Sequence, residues 1–219
     1  HFIKDEVETL LEWVHNGGAL LIAPGRHTLR TSFQLYEERL PPIQQILGPL
    51  GLAENRETRM AAKVSVRGHP PFTQDVKSIY VPSHLRLEKA DSDRLAKTYQ
   101  EAAESPYFDY YLTPRPEVET SILARVDRQP SAVLIRYGQG WVMVLSEADM
   151  FANGWIERAD NAILATNFAY LSGARTIYFD EYHKGISLLS LQGLEAVSSR
   201  VWQVLVLALC ALGVFFIGK

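Results

Sequence analysis

The chain has 219 residues, 47% hydrophobic and 21% charged, the balance of a folded globular protein rather than a disordered one. Its 22 basic and 25 acidic residues give a net charge of −3 without a long basic run, which argues against nucleic acid as a partner. The single cysteine, Cys210, excludes an internal disulfide and a cysteine-rich zinc site.

The first residue is His1, and Phe2, Val7, Leu10, Leu11 and Val14 already repeat at helical spacing. A chain that opens inside an amphipathic helix is expected to be N-terminally truncated. That helix should cover residues 5–15 and stop at Asn16-Gly17-Gly18, a glycine-rich C-terminal cap. Residues 19–23 (ALLIA) form a continuous apolar run, the pattern of a strand buried on both faces of a parallel sheet. Helices are expected over 32–40 and 43–50, split by Pro41-Pro42, and short strands over 63–66 and 78–81. Residues 88–117 are polar and proline-containing, and read as an irregular surface excursion.

The patterning sharpens after that. Strands are expected over 121–126, 132–137 and 141–145, the last two joined by a tight turn at Gly138-Gln139-Gly140. Residues 160–171 read as a helix with Asp160 as N-cap, and 176–179 as a further buried strand. Helix and strand alternate, which predicts an α/β fold with a mostly parallel sheet and one antiparallel hairpin. From Val201 to Ile217 the chain carries no charge, Trp202 suits an interfacial belt, and Arg200 and Lys219 bracket the run. A core helix keeps a polar stripe and this run has none, so a transmembrane helix over 201–218 is expected, reached by a connector over 188–200. The domain before it spans 1–187, and the expected localisation is a membrane, with the lipid bilayer as a partner and the domain outside the cytoplasm.

In open α/β sheets ligands sit beyond the carboxyl ends of the strands. Three polar clusters follow expected strands: Pro24-Gly25-Arg26-His27, then Ser146-Glu147-Ala148-Asp149, then Asp180-Glu181-Tyr182-His183-Lys184-Gly185. If the strands before the last two run parallel and adjacent, Ser146, Asp149, Asn161, Asp180, Glu181 and His183 form one candidate cluster. Asp180 and Glu181 have the chemistry of carboxylate bases, and His183 that of a proton shuttle. The competing reading is structural, because carboxylates after strands cap turns and Asp160-Asn161 cap helices. No metal or cofactor is expected. No GxGxxG, GxxxxGK, HExxH or GxSxG pattern occurs, and Cys210 lies in the apolar run, so cysteine catalysis is excluded from the visible chain.

The segments LLEWVHNGGALLIAPG, GQGWVMVLSEADMFAN, ADNAILATN and YFDEYHKG together resemble the bacterial domain of unknown function 4350 family. The resemblance runs along nearly the whole chain, though His183-Lys184-Gly185 stands where many members have His-His-Gly. It implies a doubly wound fold similar to class I glutamine amidotransferases, membrane helices before and after the domain, and neighbours such as a MoxR-type AAA ATPase and von Willebrand-A-like proteins. Such a fold without its cysteine implies a ligand- or partner-binding domain of a membrane-associated complex, not a cysteine-dependent glutamine amidotransferase. The alternative is a membrane-tethered hydrolase using Asp180, Glu181 and His183, and a third reading makes the domain a structural subunit.

Overall fold

The computed structural model describes residues 4–24, 42–59, 61–68, 71–82, 84–91, 111, 113–171, 173 and 176–178. In chain order its elements are α1 (Lys4–His15), β1 (Ala19–Ile22), α2 (Pro42–Leu47), β2 (Leu52–Arg59), β3 (Ala62–Ser65), β4 (Ser78–Val81) and β5 (His84–Lys89). There follow β6 (Val118–Val126), β7 (Gln129–Tyr137), β8 (Gly140–Leu145), a 3-10 turn (Ala148–Phe151) and α3 (Asn161–Leu171).

α1 forms because Val7, Leu11 and Val14 fall on one face and are buried, while Asp5 and Glu6 in the first turn and His15 in the last complement the helix dipole. Gly17, at φ +107°, ends it, and the amides of Gly17 and Gly18 donate to the Val14 and Trp13 carbonyls at 2.9 and 3.0 Å. β1 then enters a four-stranded sheet in the order β1-β8-β7-β6. β1 is parallel to β8, with Ala19 opposite Trp141 and Ile22 opposite Val144. β7 is antiparallel to both β8 and β6. Two antiparallel ribbons, β2 with β5 and β3 with β4, complete the strands.

The sheet is covered on both faces, and the period of two sorts its side chains between two cores. Val133, Ile135, Val142 and Val144 pack with α1, with Ile46 and Leu47 of α2, and with Leu52, Ala53 and Leu87 of the first ribbon. The alternate residues Ala132, Leu134, Met143 and Leu145 pack with Ile79 and Val81 of the second ribbon and with Leu164 and Phe168 of α3. Each of the large aliphatic side chains contributes about 1.5–3 kcal/mol on burial. These elements belong to one unit, His1–Ile177.

The expected doubly wound, mostly parallel, amidotransferase-like sheet is therefore corrected. Strands dominate, they are largely antiparallel, and β1–β8 is the one parallel pair among the described residues. The reason is connection length. β6–β7 turn at Asp127-Arg128, at φ +48° and +73°, and β7–β8 turn at Gly138-Gln139; two residues permit only a hairpin, since a parallel pair needs a crossover of about a dozen residues or more. The continuous apolar runs that pointed to a parallel sheet are runs buried on both faces, and burial on both faces is indifferent to strand direction.

Residues 52–59 and 84–89 form strands that the patterning above does not predict. Residues 176–178 are not a strand, and 32–40 and 179 lie outside the described residues. The expected membrane localisation is corrected too: no helix among the described residues is long and apolar enough to cross a membrane. The run 201–218 on which that expectation rested, and the connector 188–200, lie outside the described residues.

Candidate functional site

The parallel pairing of β1 with β8 carries both strands to one edge of the sheet. There the amide of Ala148 donates to the Pro24 carbonyl at 2.9 Å, so the ends of the first two polar clusters lie side by side. Gly25, Arg26 and His27 lie outside the described residues, as do Asp180, Glu181 and His183. Of the six candidates, Ser146, Asp149 and Asn161 are placed.

Ser146 is buried, and its amide donates to the Ser131 carbonyl at 2.9 Å. Continuing the β7–β8 register puts the two serines opposite each other, and neither hydroxyl has a hydrogen-bond partner among the described residues. Glu147 is buried; its Oε1 accepts the Asp149 amide at 3.4 Å and so caps the 3-10 turn, while Asp149 is half-buried. Among the described residues Ser146 has no imidazole or carboxylate hydrogen-bonded to it, so the contact that would activate a serine nucleophile is not made there.

Asn161 is fully buried, and its amide is engaged in full. Nδ2 donates to the carbonyls of Tyr80, Met150 and Trp155 at 2.9, 3.2 and 3.1 Å, while Oδ1 accepts the Tyr80 amide at 2.9 Å. The side chain thus imitates a strand residue at the free edge of β4 and ties it to the segment after β8. Asp160 does the same one residue earlier. Its Oδ2 accepts the amides of Lys77 and Ser78 at 2.9 and 3.0 Å, and its own amide donates to the Ser78 carbonyl at 3.0 Å. The hydrogen bonds from Ser78 and then Lys77 hold the Asp160 carboxyl below its ordinary range, helped by the charges of Lys63 and Lys77. Asp160 precedes α3 as expected, but its carboxylate clamps β4 instead of capping the helix.

What Asn161 holds together has no local signal in the sequence. The rings of Tyr80 and Trp155 stack at 5.3 Å between centroids and 9° between planes. The Arg158 guanidinium lies 4.9 Å from the Trp155 ring and 5.5 Å from the Tyr80 ring. Tyr80 and Trp155 are half-buried and Arg158 is exposed, so the stack stands at the surface. Trp155 and Arg158 are one turn apart in sequence, but Tyr80 belongs to a distant strand, and the Asn161 clamp joins them. Among the described residues no group of three or more His, Cys, Asp or Glu side chains is placed to hold a metal ion.

The family model described as Domain of unknown function (DUF4350) matches residues 2–169. No curated protein matches the chain in sequence. Among solved structures, the mmIFT52 N-terminal domain is similar with a TM-score of 0.51 at 14% identity, over 81% of this chain and 75% of that one. The Cytoplasmic Protein STM1381 from Salmonella typhimurium LT2 has a TM-score of 0.45 at 12% identity, over 78% of this chain and 61% of that one. The exo-beta-1,4-mannosidase Op5Man5 from Opitutaceae bacterium strain TAV5 has a TM-score of 0.38 at 17% identity, over 80% of this chain and 24% of that one. At these identities the first likeness is one of fold alone.

Proposed function

The chain belongs to the family of domains of unknown function DUF4350, and from that premise we propose that it is a non-enzymatic partner-binding domain that recognises its partner through the Tyr80–Trp155–Arg158 stack. The observation that carries this reading is the stack itself, a surface cluster of the three residue types that dominate binding energy at protein interfaces. Its backbone is fixed in advance, because Asn161 holds Tyr80 and Trp155 by four hydrogen bonds between them and Met150. A surface ordered before binding loses little conformational entropy on binding, which raises affinity for a given area. Of the candidate cluster, Asn161 supports the same reading by acting as the clamp that builds the stack.

The first partners to test are the MoxR-type AAA ATPase and von Willebrand-A-like proteins that the family resemblance implies. Titration calorimetry of the full chain against each, with Arg158→Glu in parallel, tests the proposal. Binding that the charge reversal weakens by about tenfold or more supports it. Equal binding by a folded Arg158→Glu protein contradicts it.

A further inference from the structure

A second surface lies where β3 meets the edge of the four-stranded sheet. Val66 bridges Ala124, and the Arg67 amide donates to the Leu123 carbonyl at 2.6 Å, so the chain leaving β3 closes onto β6. The seam leaves a cleft of about 210 Å³ lined by Val64, Ser65, Arg67, Ile122, Ala124 and Arg125. Counting outward from the antiparallel bridge, Ser65 comes opposite Arg125, and Arg67 follows Ser65 by two residues, on the same side. A bulge in β6 between Ile122 and Arg125 re-aims the strand at this point.

The cleft has two guanidinium groups and no carboxylate among its lining residues. The ion pairs Lys4–Glu8 and His15–Glu117 lie elsewhere. Arg125 Nη1 donates to the Arg128 carbonyl at 2.8 Å, which restrains that side chain and leaves its other N–H groups without a hydrogen bond among the described residues. Val64, Ile122 and Ala124 supply an apolar floor, against which charge attraction is screened less than in bulk water.

The geometry points to a binding site for a phosphoryl group in this cleft, held by Arg67 and Arg125 with the Ser65 hydroxyl as an additional donor. Two fork-shaped guanidiniums match the double charge and the several acceptor oxygens of a phosphoryl dianion, whereas a carboxylate carries a single charge on two oxygens. The site is separate from the Tyr80–Trp155–Arg158 stack and stands or falls independently of it.

Calorimetric titration of the full chain at low ionic strength, with inorganic phosphate, O-phosphoserine and serine as probes, tests the assignment. Saturable binding of both phosphoryl compounds and none of serine is expected, weakened about tenfold or more by Arg67→Gln and unchanged by Lys89→Gln. Tighter binding of O-phosphoserine than of phosphate identifies a phosphorylated side chain as the source, and equal affinity identifies the free anion. If Arg125→Gln disturbs the β6–β7 turn, Arg67→Gln decides alone, because its side chain makes no hydrogen bond or ion pair among the described residues. Failure of either phosphoryl probe to saturate overturns the proposal, as does undiminished binding by a folded Arg67→Gln protein.

Discussion

Asn161 shows how one buried amide can organise a surface. Truncating it leaves the Tyr80, Met150 and Trp155 carbonyls and the Tyr80 amide without their partner, groups that cost about 1–3 kcal/mol when buried and unsatisfied. Asn161→Ala is therefore expected to destabilise the domain by about 2–4 kcal/mol, read as a lower urea midpoint at unchanged slope. Asp160 gives a pH signature. Its folded carboxyl is held below the ordinary value, so its contribution to stability is fully present above about pH 4 and is lost as pH falls through the lower folded value. Urea midpoints measured from pH 6 down to pH 2 should fall less steeply for Asp160→Asn than for the parent chain, and parallel profiles would refute the clamp. The sequence marks both residues as helix-start caps or candidate site members. It does not reveal that their side chains pair with β4, because that contact joins segments about eighty residues apart.

At the scale of elements, the readable parts are those with local signals. The strands expected over 78–81, 132–137 and 141–145 fall within β4, β7 and β8, the helices α1 and α3 also follow from sequence patterning, and the glycine turn places the β7–β8 hairpin. β2 is not legible, because LAENRETR is too polar to signal a strand until its first residues are seen packing beside Leu87. β5, HLRLEK, does alternate, but its last residues merge into a polar stretch. Strand direction is not legible either, because burial on both faces produces the same apolar run in a parallel strand and in the antiparallel β7. Gly140 is the element-scale test. A β-carbon there would collide with the Val14 and Gly18 carbonyl oxygens, where the end of α1 rests on the hairpin. Gly140→Ala should cost about 1–3 kcal/mol through forced backbone shifts, lowering the thermal midpoint by several degrees, while Gly154→Ala, which meets nothing nearby, should not.

At the scale of the molecule, the sheet carries helices and ribbons on both faces, and the Tyr80–Trp155–Arg158 stack is built where β4, the segment after β8 and the start of α3 converge. The family is legible in the sequence because its motifs are contiguous; the stack is not, because it is assembled from distant segments by hydrogen bonds to the main chain. Tyr80, Trp155 and Arg158 could instead serve only to hold the 152–160 turn against β4, and the two roles separate in one experiment. Titration calorimetry of the full chain with the implied ATPase and von Willebrand-A-like proteins, comparing the parent with Arg158→Glu at matched thermal stability, is that experiment. Arg158 is exposed and its guanidinium lies over the two rings, so its reversal should cost no more than about 1 kcal/mol of stability, through the lost cation–π attraction. Binding weakened by about tenfold or more in a protein of parental stability is the predicted result. Parental affinity in that same protein would contradict the assignment of the stack as the recognition surface.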